Sequence, residues 1–162
     1  MGFDLIGKRG IDFRNNVWWW RPLATFILQH CRGLGTTKDQ ENWHYNNGYF
    51  VTESKAELIA NQLEEFVKSG VVHNHAILIQ KQIHKAEKHN AAIEILLQDL
   101  LKKVKKETGK QSIAPIDYPE PYRTEWDRLF ESKDSAASYP FSVDNVNDFI
   151  DFCRKSGGFE IY

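Results

Sequence analysis

Hydrophobic positions change their period several times along the 162-residue chain, and each change marks an element. Phe3-Asp4-Leu5-Ile6 alternates between Gly2 and Gly7, which predicts a short strand. Gly158-Phe159-Glu160-Ile161-Tyr162 repeats the order of glycine, aromatic, acid and aliphatic, so the two terminal segments are expected to pair in one sheet. Pro22 suits the first turn of a helix, and Leu23, Phe26, Ile27 and His30 follow at i, i+3, i+4 and i+7. That helix is expected to stop near Gly33. Asn-Gly among aromatics, in Tyr45-Asn46-Asn47-Gly48, signals a turn. Thr52 or Ser54 can cap the next helix, with Glu57 completing a capping box from Ser54. Its apolar face is Ala56, Ile59, Ala60, Leu63, Phe66 and Val67, and Gly70 ends it.

The longest periodic stretch runs over residues 76–107, without proline or glycine. Ala76, Ile79, Ile83, Ala86, Asn90, Ile93, Leu97, Leu100 and Val104 alternate spacings of three and four. That is a heptad seam with one polar position, the pattern of a coiled coil, and Ile83, Asn90, Ile93 and Leu97 are its self-association candidates. Leu96 and Leu101 widen the stripe, which suits packing on the chain's own body instead. Residues 109–121, with Pro115, Pro119 and Pro121, read as an extended linker. Tyr122, Trp126, Leu129 and Phe130 predict a short helix, and 132–140 a polar loop. Ser142 then caps a helix with Val146, Phe149, Ile150 and Cys153 on one face, closed by Gly157-Gly158. The expected fold is α+β: one domain over 1–162, with paired terminal strands, several helices, and the long helix as packed element or protruding arm.

Composition adds bounds. A hydrophobic share of 41% with 27% charged residues supports a real core and argues against bulk disorder. A net charge of −1 gives no global field for nucleic acid or an anionic membrane. Neither a leader pattern nor a membrane-length apolar run is visible, and two distant cysteines suggest free thiols in the cytoplasm. Charge is uneven along the chain, with lysines concentrated in 76–110 and acids in 117–151, so the acidic segment is expected to dock on the basic helix, within one fold or between subunits.

Candidate chemistry concentrates near the N-terminus. Neither period 2 nor period 3.6 puts consecutive side chains on one face, so Trp18, Trp19 and Trp20 cannot all face one core. Arg14, Asn15, Asn16 and Arg21 surround them with planar hydrogen-bonding groups suited to a carboxylate, a phosphate or an aromatic ligand. The same residues also read as a strand-to-helix hinge, with the asparagines as caps. His44, Asn46 and Asn47 form a second cluster, either an acid–base site or a turn. The histidines show no i, i+4 pair, so no metal and no cofactor are expected. Gly33-Leu34-Gly35-Thr36-Thr37 follows a helix instead of a strand, the wrong context for a phosphate cradle.

The run Phe13-Arg14-Asn15-Asn16-Val17-Trp18-Trp19-Trp20-Arg21-Pro22-Leu23, with Gly2-Phe3-Asp4-Leu5 before it, resembles a family of small bacterial and phage proteins. The resemblance extends to Tyr45-Asn46-Asn47-Gly48 and to the ending from Phe149 to Tyr162, while the lysine-rich helix departs from it. It implies a prokaryotic or viral setting, in the bacterial host cytosol if phage-encoded, and carries over no catalytic residues. The expected function is a non-enzymatic binding protein for a protein partner or a small ligand. One alternative is a small enzyme or nucleotide-binding protein with a tryptophan-walled pocket. A dimeric scaffold built on the long helix is the other.

Overall fold

The computed structural model describes residues 2–162. Met1, which begins the segment read for a leader, lies outside them. The chain is α+β, with two compact units: residues up to Lys81 together with Ser138–Tyr162, and Gln82–Ala137.

The first unit is built on a four-stranded antiparallel sheet of β1 (Gly2–Gly7), β2 (Asp12–Asn16), β3 (Tyr49–Thr52) and β4 (Gly158–Ile161). The order is β2-β1-β4-β3, so the terminal strands do pair, with Leu5 opposite Ile161. Every second side chain faces inward, and Phe3, Leu5, Phe13, Val51, Phe159 and Ile161 are buried. Neither β2 nor β3 follows from the sequence pattern. β2 is Asp-Phe-Arg-Asn-Asn, an edge strand with one buried position, and β3 has only four residues.

Helices cover the inward face. α1 (Val17–His30) starts five residues earlier than expected, because Asn16 caps it by accepting from the main-chain N–H groups of Trp18 and Trp19. Pro22 therefore lies inside the helix and not in its first turn, and the helix ends at His30, before Gly33. Thr36 opens a short unpredicted helix, α2 (Thr37–Glu41), through a capping box with Asp39. Thr52 caps α3 (Glu53–Lys68) on Lys55, and Glu57 does not complete a box. Glu57 instead accepts from Arg154, which also reaches Glu64, at 3.1 and 2.9 Å, and so ties α3 to the C-terminal helix.

α4 (Val71–Thr108) is 38 residues long, five longer at its N-terminus than the sequence pattern shows. Its start belongs to the first unit, where Val72, Ala76 and Ile79 join the core. α5 (Tyr122–Glu131) and α6 (Val143–Ser156) follow. Ser142 caps α6, its apolar face is buried as expected, and Gly157 takes the left-handed conformation that turns the chain into β4.

The second unit has its own small core, in which Ile93, Leu97 and Leu100 of α4 meet Leu129 of α5, flanked by Tyr122 and Trp126. The heptad seam is therefore covered by the chain itself. Ile83, Ile93 and Leu97 are buried, and Asn90 spends its amide on the main chain of Asp134, donating at 2.9 Å and accepting at 2.8 Å. Self-association through those four residues loses its free surface. Leu96 stays exposed instead of widening the packed stripe. The expected linker is partly ordered into the fold: Pro115–Asp117 forms a 3-10 turn, and Tyr118 is buried edge-on against Trp126. The two segments meet here through a pair of the opposite polarity to the one expected, Lys133 of the acidic segment on Glu94 of the lysine-rich helix at 2.7 Å.

Among the described residues, no helix is long and apolar enough to cross a membrane.

Candidate functional site

A helix starting at Val17 turns each of the three consecutive tryptophans about 100° from the last, and the structure separates them accordingly. Trp20 is fully buried, stacked between Phe3 at 5.6 Å and Trp43 at 5.9 Å, and its indole N–H donates to the Trp43 carbonyl at 2.8 Å. Trp19 is half-buried. Trp18 is 45% exposed. Trp20 is thus a core residue, and only Trp18 presents a broad aromatic surface to solvent.

The polar residues of the run also divide. Asn16 is the helix cap, and Asn15 donates to the side chain of Asn145 at 3.1 Å. Arg14 lies on the open sheet face between Asp4 and Asp12, at 3.4 and 3.7 Å. Asn46 donates to the Gly2 carbonyl and Asn47 to the Asn42 side chain, both at 2.7 Å. These five residues fasten segments of the chain together, so the expected pocket lined by all of them does not form.

Trp18 and Arg21 remain, joined by Tyr139, and His44 is near enough for the Arg21 charge to act on it. Tyr139 meets the Trp18 ring edge-on at 5.1 Å, and Arg21 donates to its hydroxyl at 3.4 Å. A lone tyrosine in a polar loop, 118 positions from Arg21, carries no local signal of this contact. Trp18 and Arg21 are three residues apart on one helix, where side chains are neighbours. Among the described residues no carboxylate lies within 4.0 Å of Arg21 or Arg32, whereas Arg9, Arg14, Arg123, Arg128 and Arg154 all have one. His44 is half-buried; desolvation and then the Arg21 charge lower its pKa, keeping it neutral near pH 7. The cluster offers an aromatic face, an unpaired guanidinium, a hydroxyl and a neutral imidazole.

Concavities lie elsewhere in the structure, one of them, of about 480 Å³, along α4 over Ala91, Ile95 and Gln98. A cavity of about 690 Å³ lies between α4 and α5 over Leu96, Leu100, Tyr122 and Leu129. Most of its charged rim is paired internally: Asp99 with Lys102 and Glu125 with Arg128, while Tyr122 donates to Glu107; Lys103 has no carboxylate within 4.0 Å among the described residues. Another of about 410 Å³ lies between α3 and α6, and there Glu64 and Asp151 are likewise paired.

The thiols are poor nucleophiles. Burial pushes Cys31 up to about 12 and Cys153 well above its ordinary value. No group of three or more metal-ligating side chains is assembled among the described residues.

No family model, curated protein or solved structure matches the chain. The functional reading therefore rests on the cluster itself.

Proposed function

We propose that the chain is a non-enzymatic binding protein, acting on a protein partner or a small ligand, and that Trp18, Arg21, His44 and Tyr139 are its contact surface. The observation that carries this reading is the exposed Trp18 beside an arginine without a carboxylate partner. Tryptophan and arginine are the side chains that most often dominate binding energy, and both gain most where water is excluded on binding. Buried, protonated thiols and a histidine held neutral beside an arginine favour recognition over covalent chemistry. We further propose, on the resemblance of the chain's two ends to small bacterial and phage proteins, a partner in a bacterial or phage-infected cell, which genome neighbourhood tests.

Photo-crosslinking tests the surface. With benzoylphenylalanine at Tyr139, adducts formed in cells are expected to disappear when Trp18→Ala is added, while thermal stability changes little. Adducts that persist unchanged in the variant would sink the assignment. Trp18 is half exposed and not part of the buried core, so the variant is expected to fold.

A further inference from the structure

We infer that this surface takes an aromatic ring bearing an anionic group, and specifically a nucleoside monophosphate; the inference rests on reading Trp18, Arg21 and Tyr139 as a binding surface. Tyr139 touches Trp18 edge-on at 5.1 Å, which steadies the indole while 45% of the residue still reaches water. A steadied, exposed indole is a stacking platform, and stacking tolerates any base because every base has a π-face. One helical turn on, the Arg21 guanidinium is anchored at one nitrogen by the Tyr139 hydroxyl at 3.4 Å and keeps its other N–H donors. A guanidinium without a carboxylate neighbour is suited to forked contact with phosphate oxygens. The two functions lie on adjacent positions of one helix face, so one ligand of nucleotide size can satisfy both.

The surroundings favour an anion over a cation. Arg21 lies near the N-terminal end of α1, where the helix dipole is positive, and the first turn of α1 contains no acidic residue. His44, neutral beside Arg21, adds a ring nitrogen that can donate to an anion. A neutral aromatic would leave Arg21 unused, and inorganic phosphate would leave Trp18 unused. The ligand that uses both carries a ring and a charge.

The five tryptophan indole N–H signals in a ¹H–¹⁵N spectrum separate these cases. The probes are AMP, adenosine, inorganic phosphate and free phosphotyrosine. AMP is expected to shift the Trp18 signal saturably while leaving Trp126, in the second unit, unmoved. Adenosine and phosphate are each expected to bind at least about ten-fold more weakly than AMP, the loss of one good contact. In that spectrum Arg21→Ala should weaken AMP by about ten-fold or more, with Arg21→Lys intermediate; Trp18→Ala, which lacks the reporting indole, should show a similar loss by titration calorimetry. Absence of a saturable AMP shift, equal binding of adenosine and AMP, or an unchanged affinity in Arg21→Ala overturns the proposal. Tighter binding of phosphotyrosine than of AMP overturns the nucleotide in favour of a phosphorylated side chain. If AMP fails while the crosslinks from position 139 still depend on Trp18, only the ligand class falls; if both fail, so does the surface.

Discussion

Adjacent residues in this chain have separate tasks, and the helix period assigns them. Trp20 and Trp18 differ only in rotation about α1, yet one is in the core and the other faces water. The same logic places His75, at the start of α4, among the aromatic rings of Phe26 and Phe141, with centroids at 4.9 and 4.7 Å, and His30 beyond them at 6.0 Å. Burial lowers the His75 pKa, and the charge of His30 lowers it further. A histidine with a depressed folded-state pKa takes up its proton more readily in the unfolded chain. Stability is then fully present above the unfolded value of about 6.5 and is lost as pH falls through the window between that value and the folded one. Urea unfolding at pH 7.5, 6.5 and 5.5 should show a decline toward acid that is smaller in His75→Phe, where the ring is kept and the proton site removed. His44, shifted in the same direction, keeps part of the slope in that variant. Equal slopes in the two proteins would falsify the assignment.

At the scale of elements, the close join between α6 and β4 shows how two glycines can fix a topology. Gly157 ends α6 at φ 68°, and Gly158 follows at φ 93°. A Cβ on Gly158 would lie 2.9 Å from both the Val51 carbonyl oxygen and the Glu53 nitrogen, where β4 passes the end of β3. Neither the left-handed backbone nor that approach tolerates a side chain, so Gly158→Ala is expected to cost at least about 2 kcal/mol, read from chemical denaturation. A loss below about 0.5 kcal/mol, the size of an ordinary surface substitution, would contradict the geometry. The Gly157-Gly158 terminator was legible in the sequence, as were both terminal strands, the Ser142 cap and the faces of α3 and α6, because each repeats a local period or uses a local cap. β2 was not legible: its polar residues are held by partners elsewhere, Arg14 by Asp4 and Asn15 by Asn145. Pro22 misled because the Asn16 cap sets where α1 starts, and a proline preference yields to a satisfied cap. The candidate site was half legible. The sequence shows that three tryptophans must diverge, but which one stays exposed depends on where the helix begins, and Tyr139 arrives from another part of the chain.

At the scale of the whole molecule, the two units differ in how much holds them together. The first buries a sheet, parts of four helices and two large tryptophans, Trp20 and Trp43. The second relies on Ile93, Leu97, Leu100 and Leu129, with Tyr122, Trp126 and Tyr118 partly or wholly covered around them. Sub-global opening concentrates where few apolar side chains are buried, so the second unit is expected to open at lower denaturant than the first. Leu129 is the α5 side chain buried in that small core. Its truncation in Leu129→Ala removes about 2–5 kcal/mol of local stability, enough to release α5 while the sheet stays folded. The tryptophans report this without added probes, since Trp126 is in the second unit and Trp18, Trp19, Trp20 and Trp43 are in the first. With fluorinated tryptophan, ¹⁹F spectra through a urea series should show the Trp126 transition moving to lower denaturant in Leu129→Ala, while the Trp20 and Trp43 transitions stay in place. A common shift of all five signals would instead make the chain one cooperative unit, with the α4–α5 core essential to the sheet.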